Sequence, residues 1–377
     1  MMTNQIQMVN LHRQYLRLKP ELDQAMQQVI DRTAFINGSE VKEFASQLAN
    51  YLHVPHVIPC GNGTDALQIA LMTLDLQPGD EVIVPDFTYV AAAEAAALLG
   101  LTPVFVDVEP DSFNLDPCKV EQVITKRTKV IMAVHLFGQC CHMAPLLELA
   151  QAHHLYLIED NAQSMGAVYT FPDGTHRLAG TMGDIGTTSF FPSKPLACYG
   201  DGGALITSNP QLAERARQIA NHGQQVKYHH QLIGCNSRLD TLQAAILQVK
   251  LRHLDQFNQA RQAVAQRYDA ALSGCPGITI PAKCNDSSHV YHQYTIQVSG
   301  DRRSRLQHYL KERGIPSMIY YPLPLHQQEA FQHLARTPYP TEQATCLSQT
   351  VLSLPIHTEM TEEEIDFIID SILHYEQ

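Results

Sequence analysis

The sequence predicts an α/β fold built on a doubly wound, mostly parallel sheet of seven strands, followed by a smaller α+β unit. Three observations support this fold class: short, continuously apolar runs, helical patterns between them, and turn sequences that separate the two. Strands covered on both faces need continuous rather than alternating apolarity, and helical crossovers between such strands produce a parallel sheet. The length agrees, because 377 residues exceed one typical core and favour two packed domains.

The predicted strands lie between residues 56 and 208 and consist largely of apolar residues. They are the seven segments 56–60, 81–85, 102–108, 129–137, 155–160, 187–191 and 203–208. Helical patterns between them are found at 64–74, 91–100 and 143–154. Ligands of such sheets bind at the carboxyl ends of the strands, so the loops at those ends are expected to carry the chemistry.

The pattern changes after Arg238. Apolar residues at helical spacing predict one long helix over 239–272. A smaller α+β unit is expected beyond it, with β-rich segments at 294–298, 315–321 and 352–356 and helices at 302–313 and from about 361. The predicted domains are therefore 1–245, an N-terminal segment with the large α/β domain, and 246–377, a small C-terminal domain.

Composition and charge exclude several function classes. The 38 Asp and Glu against 26 Lys and Arg leave a formal net charge of −12, which argues against a nucleic-acid binder. The nine cysteines contain no CxxC pair, so neither a disulfide framework nor a zinc ribbon is predicted. Reduced thiols and the lack of a signal pattern predict a cytoplasmic protein. The most apolar stretch, 89–101, is too short to span a bilayer and contains Glu94.

The sharpest chemical signal is Lys194, which stands in SFFPSKPLACYGDGGA at the end of a predicted buried strand. A lysine is normally a solvated surface charge, but a loop after a buried strand is a poor place for one. An unperturbed lysine, with a pKa of about 10.4, is almost entirely protonated at neutral pH. A desolvated lysine, or one joined as a Schiff base to an aldehyde, escapes that limit, and pyridoxal phosphate supplies such an aldehyde.

Other strand ends carry the companions that this cofactor needs. Asp160 ends the run LYLIED, where a carboxylate can hold the pyridine nitrogen protonated, although the residue is equally suited to cap a helix. Ala162 is small enough to lie against the ring, and Gln163 can reach its phenolic oxygen. Tyr89, which follows the strand 81–85, can stack on the ring or simply belong to the core.

The segment IPCGNGTDALQIAL predicts a strand, a glycine turn and a helix. Backbone N–H groups at Gly63 and the positive end of the helix suit a phosphate, and Thr64 adds a hydroxyl. The segment has neither the GK[ST] of a Walker A loop nor a full GxGxxG, so nucleotide-binding folds are weakly supported. Each feature alone has a structural explanation. Together they supply an amine, a pyridinium partner, a phosphate cradle and a ring platform on predicted strand ends.

These motifs are similar to those of the DegT/StrS-type sugar aminotransferases, pyridoxal-phosphate enzymes of the aspartate-aminotransferase fold (fold type I). The resemblance covers nearly the whole chain. It is carried by AFINGSEVKEFASQLANYL, GNGTDALQIAL, PGDEVIVPDFTYVA, PVFVDVEPDSFNLD, VIMAVHLFGQ, LIEDNAQSMGA, SFFPSKPLACYGDGGA and NSRLDTLQAAIL. It implies transamination of a nucleotide-linked keto-sugar with L-glutamate as the amino donor, for bacterial surface-polysaccharide or related amino-sugar synthesis.

The resemblance also implies roles for single residues. Lys194 would form the Schiff base and then shuttle the proton, while Asp160 and Gln163 would hold the pyridine nitrogen and O3′. The implied cofactor-binding set is Gly63, Thr64, Tyr89, Asp160, Ala162, Gln163, Ser189 and Asn236. The implied substrate-binding set is Ser193, Arg238, Tyr320 and Tyr321. No metal is expected.

A homodimer with shared active sites is implied as well. In it, Asn236 would reach the cofactor phosphate of the other protomer, and Arg238 would contact the nucleotide sugar bound there. In the sequence alone, NSRLD is equally well explained as the N-terminal cap of the following helix.

Within the family, the chain most resembles 3-aminotransferases of UDP-N-acetyl-3-oxo-glucuronate in O-antigen synthesis. It departs from them at 33–35, Thr-Ala-Phe where they carry Gly and Tyr, and at Tyr320, where they place His. The sugar, the nucleotide and the aminated carbon therefore stay open. Two alternatives also stay open: a pyridoxal-phosphate-dependent sugar dehydratase, and a regulatory protein that senses a nucleotide sugar without turning it over. Relatives that act as dehydratases carry His where this chain has Lys194, which favours transamination.

Overall fold

The computed structural model describes residues 6–375 and has the alternating strands and helices of an α/β protein. The strands are β1 His56–Cys60, β2 Glu81–Pro85, β3 Thr102–Val106, β4 Thr128–Val134, β5 Tyr156–Asp160, β6 Val168–Thr170, β7 His176–Leu178, β8 Ile185–Ser189, β9 Gly203–Thr207, β10 Gln224–Val226, β11 His229–His230, β12 Ile278–Thr279, β13 Tyr294–Val298 and β14 Val351–Leu354. The α-helices are α1 Leu11–Arg32, α2 Ser39–Leu52, α3 Gly63–Thr73, α4 Ala91–Leu98, α5 Pro117–Val123, α6 Met143–His153, α7 Pro210–Ala220, α8 Thr241–Leu251, α9 Leu254–Leu272, α10 Arg302–Glu312, α11 Glu342–Thr350 and α12 Glu362–Leu373.

The central sheet has seven strands in the order β1-β9-β8-β5-β4-β2-β3. All neighbours from β8 to β3 pair in parallel, and β9 alone runs antiparallel to both of its neighbours. Successive residues of β2 enter different cores, Val82 and Val84 one and Ile83 the other. Both faces of the sheet are therefore covered, which explains the continuous apolar runs. The predicted seven-stranded, mostly parallel sheet is confirmed.

Two helices precede the sheet and support the loop that follows β8. Helix α1 is capped at its N-terminus by Asn10, whose side chain accepts the N–H of Arg13 at 3.0 Å. Helix α2 buries Phe44 against the ring of Phe190, with the ring centroids 5.3 Å apart in an edge-to-face arrangement. Phe190 lies four residues before Lys194. Helix α2 therefore helps to hold the segment that contains the candidate catalytic lysine.

The long helix predicted over 239–272 is wrong, because the chain is interrupted between α8 and α9. At the interruption, His253 has φ −108° and ψ 1°, outside the helical region. Helix α8 packs with the N-terminal helices, whereas the apolar residues of α9 from Val264 onward join the core of the small sheet. Because of this break, α8 and α9 can pack in two different cores.

The smaller sheet, in the order β12-β13-β14, packs with α9, α10 and α12 around a separate apolar cluster. The β-rich segment predicted at 315–321 is not a strand; only Met318 pairs, with Ser353 of β14. Pro316 lacks an N–H group and cannot extend the ladder on that side. The predicted domain boundary after residue 245 lies within α8 and stays a prediction.

Residues 1–5 and 376–377, which the predicted domains include, lie outside the described part. Across residues 6–375, none of the helices combines the length and the apolar character that a membrane span needs.

Candidate active site

A cavity of about 620 Å³ opens at the carboxyl ends of the parallel strands, where β5 and β8 end. The polar groups expected there converge on it from separate parts of the chain. The predicted site residues that line it are Gly63, Thr64, Tyr89, Asp160, Ala162, Gln163, Ser189, Ser193, Lys194, Tyr320 and Tyr321. The position agrees with the rule that open α/β sheets bind ligands at this edge.

Lys194 and Asp160 face the same cavity and influence each other. Lys194 lies in the turn after β8, where its N–H donates to the carbonyl of Phe191 at 2.8 Å. Burial lowers the pKa of Lys194 to about 8, and the negative charge of Asp160 opposes that shift. Burial also raises the pKa of Asp160, although the N–H of Ala162 donates to its Oδ1 at 3.0 Å. The lysine is therefore close to the state in which its amine is a free nucleophile.

The side-chain amide of Gln163 is oriented by two hydrogen bonds. Its Oε1 accepts the N–H of Phe137 at 2.7 Å, and its Nε2 donates to the phenol oxygen of Tyr321 at 3.3 Å. Phe137 has a left-handed backbone, with φ 58°, in the short 3₁₀ turn after β4. The second N–H of the amide remains for a ligand, which suits contact with a phenolic oxygen.

The N-terminus of α3 approaches the end of β8 unusually closely. A Cβ added to Gly63 would lie 2.7 Å from the Cβ of Ser189, so only glycine allows this approach. Asn62 caps the helix, its Oδ1 accepting the N–H of Asp65 at 2.8 Å. Thr64 and Ser189 add hydroxyl groups at the same place. A helix N-terminus flanked by two hydroxyls fits a phosphate group.

This donor set fits pyridoxal phosphate. The amine of Lys194 suits its aldehyde, the carboxylate of Asp160 suits its pyridine nitrogen, and the end of α3 suits its phosphate. Tyr89 lies on the same cavity with its side chain more than half exposed, which disfavours the alternative that it is a core aromatic.

Two predicted site residues do not line the cavity of their own chain. Asn236 is exposed, and Arg238 is half-buried with no hydrogen-bond partner for its Nε within residues 6–375. Ser237 between them is buried: its hydroxyl donates to Asp65 at 2.5 Å and accepts the N–H of Gly61 at 2.8 Å. The segment is therefore fixed beside the α3 terminus while its two functional candidates point elsewhere.

Several cavity residues were not expected from the sequence. They include Asn62, Thr88, Phe137, Phe191, Asp201, His292 and Gln293. His292 is buried, and burial together with the charge of Lys194 holds its pKa well below the usual range. Asp201 stands seven residues after Lys194 in the same glycine-rich motif, and that proximity is a sequence signal that could have identified it. His292 follows β9 by about 85 residues, and no spacing signal marks it.

The carboxylate of Glu159, the residue before Asp160, is fully buried and connects the elements that carry the site. Glu159 accepts a hydrogen bond from Nε2 of His135 at 2.9 Å, and both side chains are completely buried. Its two oxygens also accept three backbone N–H groups of the loop before β8, those of Gly180, Met182 and Gly183. These bonds connect the ends of β4 and β5 to the strand that leads to the loop containing Lys194.

Comparison with known proteins adds close relatives. The chain is 44% identical to the UDP-2-acetamido-2-deoxy-3-oxo-D-glucuronate aminotransferase of Pseudomonas aeruginosa, over 96% of this chain and 98% of the relative. It is 42% identical to a protein of Geobacillus stearothermophilus named pleiotropic regulatory protein, over 98% of each chain. Both alignments span nearly the full length, so the likeness is not confined to one domain.

Solved structures and family models agree with these relatives. The crystal structure of DesV from S. venezuelae, in complex with a ketimine intermediate, superposes with a TM-score of 0.94 at 39% identity and covers 100% of both chains. The DegT/DnrJ/EryC1/StrS aminotransferase family matches residues 17–373. This chain therefore belongs to the DegT/DnrJ/EryC1/StrS family and is an aminotransferase whose cofactor is pyridoxal phosphate.

Proposed function

We propose that the protein transfers the amino group of L-glutamate to a keto-sugar linked to a nucleotide, with a UDP-sugar as the first candidate. The observation that carries this proposal is the pairing of Lys194 and Asp160 in one cavity beside a phosphate-type helix terminus. The name of the Pseudomonas aeruginosa relative, with 44% identity, supports a 3-keto UDP-sugar of this class. Use in bacterial surface-polysaccharide synthesis, of O-antigen type, is part of the same proposal.

Each side chain of the cavity has a separate role in the proposed reaction. When bound, pyridoxal phosphate supplies an electron sink for the carbon that loses a proton. Lys194 Nζ would take that proton and later give it back, which needs an amine that is neutral for part of the cycle. Asp160 would keep the proton on the pyridine nitrogen of the cofactor, and Gln163 would donate a hydrogen bond to its phenolic oxygen. Thr64 and Ser189 would bind the phosphate and so help to position the cofactor beside the lysine.

The substrate side of the proposal involves both protomers of a homodimer. Ser193, Tyr320 and Tyr321 line the cavity and would contact the sugar. Asn236 and Arg238 would reach the site of the other protomer, which accounts for their lying off their own cavity and for the unpartnered Nε of Arg238 in the described chain. A cytoplasmic location agrees with nine free cysteines, four of which are buried.

A sensor function is the second candidate, since one full-length relative is named pleiotropic regulatory protein. Lys194, Asp160 and the phosphate-type terminus are all present, and a pure sensor has no need for a nucleophilic amine beside a pyridinium partner. A sugar dehydratase is disfavoured because position 194 is Lys rather than His. Transamination therefore remains the better-supported function.

The deciding experiment supplies L-glutamate and a panel of UDP- and dTDP-linked 3-keto and 4-keto sugars, and measures 2-oxoglutarate and the amino sugar by mass spectrometry. Transamination predicts equal amounts of both products with at least one sugar. Dehydration yields a deoxysugar without 2-oxoglutarate. A sensor binds a nucleotide sugar but causes no change in cofactor absorbance when glutamate is added, and that result would refute the proposal.

A further inference from the structure

Residues 319–326, here called the tyrosine strap, run from the small sheet to the large sheet and form part of the cavity wall. Tyr320 and Tyr321 lie within it and line the cavity. The phenol of Tyr321 accepts the hydrogen bond from Gln163 at 3.3 Å, and its ring centroid is 6.3 Å from that of Tyr89. The strap therefore places the side chains of Tyr320 and Tyr321 where they can contact a ligand bound in the cavity.

Both ends of the strap are tied to a sheet. Just before it, Met318 and Ser353 exchange two backbone hydrogen bonds, of 3.1 and 2.7 Å, which link it to β14 of the small sheet. At its other end, Leu325 donates its N–H to the carbonyl of Asp86 at 2.8 Å. His326 then donates its backbone N–H to Asp86 Oδ1 at 2.7 Å and its Nδ1–H to Oδ2 at 2.6 Å. Asp86 directly follows β2 of the large sheet.

Asp86 is well suited to be an anchor. Its side chain is fully buried, and its own N–H donates to the carbonyl of Val106 at 2.9 Å, which continues the pairing of β2 with β3. Within the described part of the chain, both hydrogen bonds to its carboxylate come from His326. A buried carboxylate needs such donors, so the strap end and the strand end stabilise each other.

The chain between the anchor and the tyrosines is stiff. Pro322 and Pro324 fix φ near −65° at two of the positions that separate Tyr321 from His326. With φ fixed at these positions, the backbone has fewer ways to absorb a displacement at His326 before it reaches the tyrosines. Thr341 adds a contact, with its hydroxyl 3.0 Å from Nδ1 of His326.

We propose that His326 and Asp86 are positioning residues that fix the two tyrosines of the strap for recognition of the keto-sugar. This inference rests on the function proposed above. Neither residue lines the cavity, so both act through the strap rather than by touching the ligand.

The geometry provides a matched pair of variants. The side-chain amide nitrogen of His326→Asn occupies the place of Nδ1 and can donate to Asp86, whereas that of His326→Gln occupies the place of Nε2 and cannot. The chain contains no tryptophan, so Leu323→Trp, at a strap position 45% exposed, gives a single fluorescent reporter. All variants are made in that reporter background, with the His326 form as reference and bound-cofactor absorbance as a check of folding.

We expect His326→Gln to speed the decay of tryptophan anisotropy and to raise the KM for the keto-sugar at least tenfold. The rate of the glutamate half-reaction should change less than twofold, and His326→Asn should restore both quantities to near the reference. Unchanged anisotropy in the Gln variant refutes the anchor, and unchanged KM refutes the positioning role. An Asn variant as impaired as the Gln variant refutes the assigned hydrogen bond. Failure of the reference protein to react with glutamate counts against the proposed function itself, while the anisotropy still decides on the anchor.

Discussion

At the scale of single residues, burial moves the pKa values of Lys194 and Asp160 toward each other. The pKa of the amine falls to about 8 and that of the carboxyl rises, because both charged forms lose water. Their mutual attraction limits both shifts. The pair therefore places a partly neutral amine beside the carboxyl group of Asp160, an arrangement that suits an aldehyde and a pyridine nitrogen.

The pKa of Lys194 leads to a pH prediction for the apoenzyme. Only the neutral amine attacks an aldehyde, so the rate of pyridoxal-phosphate capture should rise about tenfold per pH unit below 8 and level off above it. Stopped-flow absorbance measures this rate. Asp160→Asn removes the charge that favours the ammonium form, so its midpoint should lie at lower pH. A wild-type midpoint at the ordinary lysine value of 10.5 would contradict the prediction.

A second buried lysine provides a control for the catalytic assignment. Lys250 also has its pKa lowered by burial to about 8, but it lies over the ring of Tyr199, 4.3 Å from the centroid, and not on the cavity. We expect Lys194→Ala to abolish turnover and the absorbance of the bound cofactor, whereas Lys250→Met keeps both. Borohydride reduction followed by peptide mapping should place the label at residue 194. Labelling at residue 250 would show that desolvation alone does not identify the reactive amine.

At the scale of secondary-structure elements, the sequence predicts the large sheet well and the connections poorly. Continuous apolar runs predict seven strands, and each predicted bound lies within three residues of the observed one. The reason is physical, since strands buried on both faces need the same pattern wherever they occur. The break before α9 carries no such signal because apolar spacing continues across it, and the change of core that causes it is a tertiary effect.

The candidate site shows the same division. Residues at strand ends, such as Lys194 and Asp160, are found from the sequence because the topology brings those ends together. The pair Asp86 and His326 is separated by 240 positions, and His292 enters from a segment beyond the large sheet. Contacts made by chain segments that cross between sheets leave no periodic pattern, so a single sequence does not reveal them.

The junction of α3 with β8 gives a prediction for cofactor affinity. We expect Gly63→Ala to weaken binding of pyridoxal phosphate more than tenfold, because the added methyl group would lie 2.7 Å from Ser189 and force the two elements apart. Absorbance titration of the apoenzyme measures the dissociation constant. Gly79→Ala is the control, since it strains a turn with φ +87° but its Cβ meets nothing within 4 Å. Equal affinities in the two variants would show that the close approach is not part of the phosphate site.

At the scale of the whole molecule, two predicted site residues that do not line the cavity of their own chain bear on how two chains assemble. Asn236 and Arg238 are held beside α3 by Ser237, yet neither faces the cavity of its chain. In the homodimer proposed above, each site would take residues from both protomers, so the residues that lie outside the cavity of one chain would complete the site of the other.

Subunit mixing tests this sharing. Homodimers of Lys194→Ala and of Arg238→Ala should each be nearly inactive, the first without its amine and the second without its contact to the nucleotide sugar. After denaturation and joint refolding in equal amounts, half of the dimers are mixed and each has one intact site. Activity should therefore recover to about a quarter of the wild-type value. Refolding each variant alone is the control, and no recovery on mixing would mean that each chain completes its own site.

The adjacent acids at the end of β5 have a consequence for the evolution of this chain. Consecutive side chains of a strand point to opposite faces, so Glu159 is buried among backbone donors while Asp160 faces the cavity. A slip of one position along this strand would turn Glu159 toward the cavity and Asp160 away from it. Selection is therefore expected to remove insertions and deletions within β5, even those that leave the fold intact.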